Sequence, residues 1–305
     1  MIQFVIRRIL WAVPIVLVVS SITFLLMHSV PGGPFDAEKA LPQAIIDNLN
    51  AKYHLDDPLW KQYVDYMWGF MRFDLGPSIS YRSRTVNDIL AQQWPVTALL
   101  GLASFGVAIC LGIPLGVISA IKQNSLIDYG SMWISLLGLS IPNMAMGPLL
   151  IWIFALNLKW FPVATWGSPM HVVLPAITLG TAFMAMFARI TRASMLQIVR
   201  EEYIQTARAK GVREIWVMLK HTLRNALIPV MTIAGPAFAG MMTGSMIVER
   251  IFAIPGIGKY YVTSVGNRDY PVIMATTLVF ALAVVVMNML VDISYGILDP
   301  RIRYN

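Results

Sequence analysis

Long apolar runs separated by short polar links set the organisation of the chain. A helix needs about 20 apolar residues to cross a hydrocarbon core about 30 Å thick. Six runs reach or approach that length, at residues 9–30, 96–121, 129–156, 172–188, 228–252 and 272–298. Arg7 and Arg8 precede the first, and "HSVPGGPF" after it has no small-x-small cleavage site, so it reads as a retained helix rather than a secretory signal. The pattern predicts an all-α integral membrane protein with six transmembrane helices.

Prolines inside these runs, among them Pro14, Pro114, Pro142 with Pro148, and Pro175, remove backbone donors and predict kinks that neighbouring helices must cover. Small residues in "GIPLG" (Gly112, Gly116) and "GMMTG" (Gly240, Gly244) are spaced for close helix approach. Between the first two runs, residues 47–54 and 58–70 carry short helical periods, the second with Pro58 at its start. This divides the chain into 1–30, a first helix; 31–95, an extracytoplasmic region; and 96–305, a five-helix core containing a polar segment at 189–227.

Composition agrees with a lipid environment. Of 305 residues 57% are hydrophobic and 13% charged, where a soluble domain carries about a quarter charged. The single cysteine, Cys110, excludes an intrachain disulfide and is expected as a small buried hydrophobe.

Charge sets orientation. With a cytoplasmic N-terminus, six spans place both termini inside, together with residues 122–128 and 189–227; the inner segments then carry 13 Lys/Arg against 5 Asp/Glu, while the outer ones carry equal numbers of the two. The inner excess lies in short segments flanking spans, as the positive-inside rule requires. The basic stretch "EEYIQTARAKGVREIWVMLKHTLRN" therefore faces the cytoplasm.

Within that stretch, "REEYIQTARAKG" reads as a short helix stopped at Gly211, with Arg208 and Lys210 in the last turn, where cations suit the helix dipole. A second helix follows, apolar at Val212, Ile215, Trp216, Leu219, Leu223 and Leu227 and basic at Arg213, Lys220 and Arg224. It either lies along the membrane surface or returns to the bundle. The small residues Ala207 and Ala209 suit the first helix to close approach by another protein.

Familiar catalytic constellations are missing. "GIGKY" lacks the leading glycine and the hydroxyl residue of a phosphate-binding loop; His28, His54, His171 and His221 have no metal-ligand spacing; no G-x-S-x-G elbow occurs. Polar residues inside spans are the remaining candidates. Asn288 and Asp292 lie one turn apart on one face of the last span, and Asp292 either lines a pathway or pairs with another helix. Asn143, after Pro142, is placed to cap carbonyls freed by a kink.

"YIQTARAKG", the amphipathic run after it and "ALIP" resemble the EAA loop of ABC importer permeases in its peptide-transporting branch. "FVIRRIL", "PGGPFDAEKALP", "AKYHLDDP", "GPSISYRSRTVNDIL", "ARITRASML", "GSMIVERIFAIPGIG", "NRDYP" and "DPRIRY" extend the resemblance, in order, over nearly the whole chain and towards the oligopeptide B-type permeases. The resemblance implies a type I ABC importer fold in a bacterial inner membrane. It implies a non-catalytic transport subunit working by alternating access, with Glu202, Gln205, Thr206, Ala207, Arg208, Lys210 and Gly211 as the ATPase-coupling helix. The implied partners are a homologous C-type permease, two cytoplasmic ATPase subunits, which would carry ATP and magnesium, an extracytoplasmic peptide-binding protein and membrane lipid, with no nucleic acid. Gln205 and Thr206 depart from the EAA consensus, so a salt bridge assigned to that glutamate does not carry over. The implied substrate is oligopeptides, with dipeptides, nickel complexes, glutathione or oligosaccharides as alternatives within the family. An ion-coupled secondary transporter is the alternative outside it, and a membrane scaffold or enzyme is another.

Overall fold

The computed structural model describes residues 2–35, 43–81 and 83–298; "DAEKALP" and "DPRIRY" lie outside them. The described residues form helices joined by short links. Five helices are long and apolar enough to cross a membrane, and a sixth span exists if one bent pair counts as one.

Helices α1 (Ile2–Ser29), α4 (Val86–Ile121), α7 (Met170–Ile198), α10 (Leu223–Ile251) and α12 (Tyr270–Leu298) match five of the expected spans. The third expected span is not one rod. It consists of α5 (Leu126–Ser140) and α6 (Asn143–Leu150) with its wide-turn extension Ile151–Asn157, and the two parts are inclined at 108°. The cause is local: Pro142 forces Ile141 out of the helical region, to φ −93° and ψ 115°, and α5 stops there. Pro148 then withholds another donor within α6, and i→i+5 turns follow at Ile151–Asn157.

Two compact units emerge. The first comprises residues 1–6, 97–255 and 284–305, and the second 7–96 and 256–283. In the first unit α7 is central, burying Leu174, Leu179, Phe187 and Met195. Its neighbour α4 approaches very closely. A Cβ at Gly112 would come within 2.6 Å of the Met184 carbonyl oxygen, and one at Gly116 within 2.5 Å of the Ala188 carbonyl oxygen. Only a residue without a Cβ admits this backbone-to-backbone approach. Cys110, on α4, is exposed rather than buried. Outward exposure of a small apolar side chain on a membrane-spanning helix costs little, because lipid replaces the protein interior.

In the second unit α2 (Gln43–Lys52) and α3 (Leu59–Met71) follow α1, and α11 (Ile257–Asn267) precedes α12. Tyr63 ties α3 to α1 through its hydroxyl, 2.8 Å from Ser20 Oγ and 2.9 Å from Ser21 Oγ. The sequence "NRDYP" builds the corner between α11 and α12. Arg268 takes the left-handed conformation (φ 55°) that ends α11, and its N–H donates to the Ser264 carbonyl. Asp269, fully buried, accepts from the Ser78 hydroxyl and from the Ser80 N–H at 3.0 Å, and its own carbonyl starts α12.

Candidate coupling corner and intramembrane polar residues

Residues 189–198 of the polar segment continue α7, which ends at Ile198. Glu201 leaves the helix in an extended conformation, and α8 (Glu202–Ala209) starts with the Glu202 carboxylate in its first turn, where the helix dipole favours it. Ile204 and Ala207 turn inward and pack with Val217, with Ile198, Val199 and Val212 around them. Glu202, Gln205, Thr206, Ala209, Lys210 and Gly211 are exposed. The outward face is therefore polar and small. Ala207 belongs to the inward one, because it falls one turn after Ile204 and shares its side of the helix.

Gly211 ends α8 with φ 77°. Its N–H donates to the Arg208 carbonyl at 2.9 Å and the Val212 N–H to the Ala207 carbonyl at 3.3 Å, the bonding of a Schellman stop, with Val212 making the accompanying apolar contact. No atom would obstruct a Cβ at Gly211, so the demand for glycine comes from the backbone conformation alone. Across the corner, Arg208 donates from Nε to Glu214 Oε2 at 3.1 Å and from Nη2 to Glu214 Oε1 at 2.7 Å. That hydrogen-bonded carboxylate holds the Arg208 guanidinium above its ordinary pKa. Asn225 Nδ2 donates to the Tyr203 hydroxyl at 2.7 Å, linking α8 to the start of α10.

The helix after the corner turns its apolar stripe outward. Ile215, Trp216 and Leu219 are exposed, whereas Val217, Thr222 and Ala226 are buried. Helix α9 (Glu214–Trp216) opens into wide turns over Val217–Thr222, where Thr222 Oγ1 donates back five residues to the Val217 carbonyl at 3.1 Å. Extra residues in those turns rotate the phase of the 3.6-residue pattern, so the apolar stripe read from the sequence faces outward before Leu223.

A clamp in the same unit joins α4, α5 and α7. Asp128, 1% exposed, accepts from Arg192 Nε at 2.8 Å and Nη2 at 2.7 Å, from the Ser119 hydroxyl, and from the Asn124 N–H at 2.9 Å. Sequence reasoning missed this pair. The available signal was "SLID", in which Ser125 caps α5 by accepting from the Asp128 N–H.

The intramembrane polar residues are not one cluster. Asn143 opens α6 at the bend, and among the described residues its side chain bonds to no carbonyl; the Pro142 carbonyl starts the helix by accepting from the Ala145 and Met146 N–H groups. Asn288 turns its Oδ1 onto Gly235 of α10, a contact that a Cβ at 235 would close off. Asp292 follows one turn later with Oδ2 shielded from solvent. A second buried carboxylate was not foreseen: Glu249, 1% exposed near the end of α10, accepts from Thr97 Oγ1 at 2.6 Å and Ser245 Oγ at 3.0 Å. The cue was an ionisable residue in the apolar run "GSMIVERIF".

A bundle of long apolar helices interrupted by a short polar helix and a glycine corner matches a known family over most of its length. Residues 112–304 fit the family described as "Binding-protein-dependent transport system inner membrane component", and residues 1–101 fit the corresponding N-terminal family. The chain belongs to this permease family. The permease is 47% identical to the dipeptide transport system permease protein DppB of Bacillus subtilis, over 99% of this chain and 98% of that protein. It is 41% identical to the oligopeptide transport system permease protein OppB of Haemophilus influenzae, and 42% identical to that of Escherichia coli, over the full length of both chains in each case. Among solved structures, the inward-facing MetNI methionine ABC transporter aligns with a TM-score of 0.55 and 19% identity, covering 69% of this chain and 96% of that one. That likeness establishes the fold of an ABC importer permease. The permease is accordingly a multi-pass membrane protein.

Proposed function

We propose that this permease is one half of the translocation pathway of an ATP-driven importer of short peptides, opened alternately to either side as α8 is moved by a cytoplasmic ATPase. The supporting observation is end-to-end identity of 41–47% with permeases of oligopeptide and dipeptide systems. In this reading the chain itself binds no nucleotide. Two ATPase subunits carry ATP and magnesium, a homologous permease completes the pathway, and an extracytoplasmic binding protein delivers the peptide. Both termini lie in the cytoplasm, with the corner at Gly211. The exposed Glu202, Gln205, Thr206, Ala209 and Lys210 form the face offered to the ATPase, Ala207 holds the helix from behind, and Arg208 is oriented by Glu214. Asn288 and Asp292 contribute polar groups inside the bundle and Asn143 marks its bend.

The identity to the Bacillus subtilis dipeptide permease exceeds that to the oligopeptide permeases, which favours dipeptides as the second reading. Purification of the tagged chain, followed by reconstitution and uptake of a length series of labelled peptides, tests both. The expected result is co-purification of ATPase subunits and ATP-dependent uptake with a length optimum. Uptake driven by an ion gradient without ATPase partners would overturn the reading.

A further inference from the structure

We propose that the crevice between α1, α11 and α12 binds one anionic phospholipid, with its phosphate on Arg268 and an acyl chain along the crevice walls. The crevice has a volume of about 400 Å³. Leu26 of α1, Val30 just beyond its end, Val265 of α11 and Ile273 of α12 supply its apolar walls, and Tyr261, Tyr270 and Arg268, with the hydroxyls of Thr23 and Thr277, its polar lining. From Tyr270 to Thr277 the α12 wall runs for about 10 Å at 1.5 Å per residue. The polar end lies where α1 stops at Ser29 and α12 begins at Tyr270, which is where two spans leave the hydrocarbon. Tyrosine and arginine at the mouth of a largely apolar crevice match the amphipathic character of a phospholipid.

Electrostatics decides the headgroup. In "NRDYP" Arg268 and Asp269 look like a neutralising pair, but the Asp269 carboxylate is buried on the Ser78 hydroxyl and the Ser80 N–H. Among the described residues the Arg268 guanidinium donates to the Gly33 carbonyl, at 3.3 Å, and no carboxylate pairs with it. A guanidinium has five N–H donors in a fork that fits phosphate oxygens. An unneutralised guanidinium at the edge of an apolar crevice attracts an anion, and a bilayer supplies phosphate at that depth. The site is independent of what the permease transports.

The test uses the full-length chain, with whatever subunits accompany it, in nanodiscs of phosphatidylcholine containing phosphatidylglycerol as a minor component. Bound lipid is then identified by native mass spectrometry after transfer to detergent. Wild type should retain phosphatidylglycerol, Arg268→Lys should keep most of it, and Arg268→Gln and Arg268→Gly should retain several-fold less. Glycine is compatible with the left-handed backbone at this position, so loss in that variant reports the missing cation and not a broken corner. Leu26→Trp, which fills the crevice while leaving the cation in place, should also release the lipid. Equal retention in Arg268→Gln and wild type would overturn the proposal. So would absence of phosphatidylglycerol from the wild type, or its displacement by added short peptide, which would make the crevice a peptide subsite.

Discussion

Arg192 of α7 meets Asp128 of α5 with both carboxylate oxygens engaged, at 2.8 and 2.7 Å, and the carboxylate is almost wholly buried. A buried charge left without its partner costs about 3–5 kcal/mol. Arg192→Ala is therefore expected to lower the thermal stability of the detergent-purified protein and its abundance in membranes by far more than Asp128→Asn. The asparagine variant removes the charge while preserving much of the hydrogen bonding around it. In the double variant Asp128→Asn/Arg192→Ala the penalties should be less than additive, because the orphaned charge is gone. Strict additivity in unfolding measurements would rule out direct coupling.

Gly211 holds φ 77° with open space around it, so substitutions there test backbone conformation and partner contact separately. A side chain in the left-handed region costs roughly 1–2 kcal/mol, and asparagine tolerates it best. Gly211→Asn should insert normally and keep substantial uptake. Gly211→Ala should lose more uptake, and Gly211→Asp should abolish uptake while leaving the subunit in the membrane, through added bulk and charge at the surface proposed to meet an ATPase. Immunoblots of membranes alongside peptide uptake check all three. Wild-type uptake by a well-expressed Gly211→Asp would remove the corner from the coupling path.

Gly116 presents the opposite situation. Its constraint is a neighbour 2.5 Å from where a Cβ would stand, the Ala188 carbonyl oxygen of the adjoining helix. Backbone cannot rotate aside as a side-chain tip can, and overpacking of this kind costs about 1–3 kcal/mol. Gly116→Ala should reduce abundance or thermal stability, whereas Gly130→Ala, with nothing within 4 Å, should be neutral or mildly stabilising. Equal melting curves for the two variants would contradict the close approach of α4 to α7.

The spans were legible in the chain because an apolar run of membrane-crossing length is a one-dimensional signal, and α4, α7, α10 and α12 follow it. The stop at Gly211 was legible for the same reason, since helix termination depends on a few adjacent residues. Long-range pairing was not. Arg192 and Asp128 are 64 positions apart, and nothing in either local sequence names the other. Whether Ile215, Trp216 and Leu219 turn outward or towards the bundle was left open by a pattern written at 3.6 residues per turn, and wide turns at Val217–Thr222 change the period within the run. Prolines were visible, but whether Pro142 bends a helix slightly or breaks it by 108° depends on the packing around it. In α8, the division between the outward Gln205 and Thr206 and the inward Ala207 required knowing which side Ile204 packs on.

Glu249 gives the last test, because its carboxylate oxygen Oε1 accepts from two buried hydroxyls on different helices, Thr97 of α4 and Ser245 of α10. Removing the shared acceptor takes away a hydrogen bond from each donor in a place water does not reach, although Ser245 Oγ still donates to the Met242 carbonyl at 2.8 Å. A buried polar group left unsatisfied costs about 1–3 kcal/mol. Glu249→Gln keeps a carbonyl oxygen where Oε1 stands and should remain close to wild type in abundance and melting temperature. Glu249→Ala should fall well below both, because it loses the acceptor and opens a cavity between α4 and α10. Thr97→Val/Glu249→Leu replaces polar groups on both helices with apolar ones of similar size, and should recover part of that loss. Abundance and melting temperature of the purified variants decide the matter: if Glu249→Gln is as damaging as Glu249→Ala, the carboxylate's role lies in its charge and not in accepting from Thr97 and Ser245.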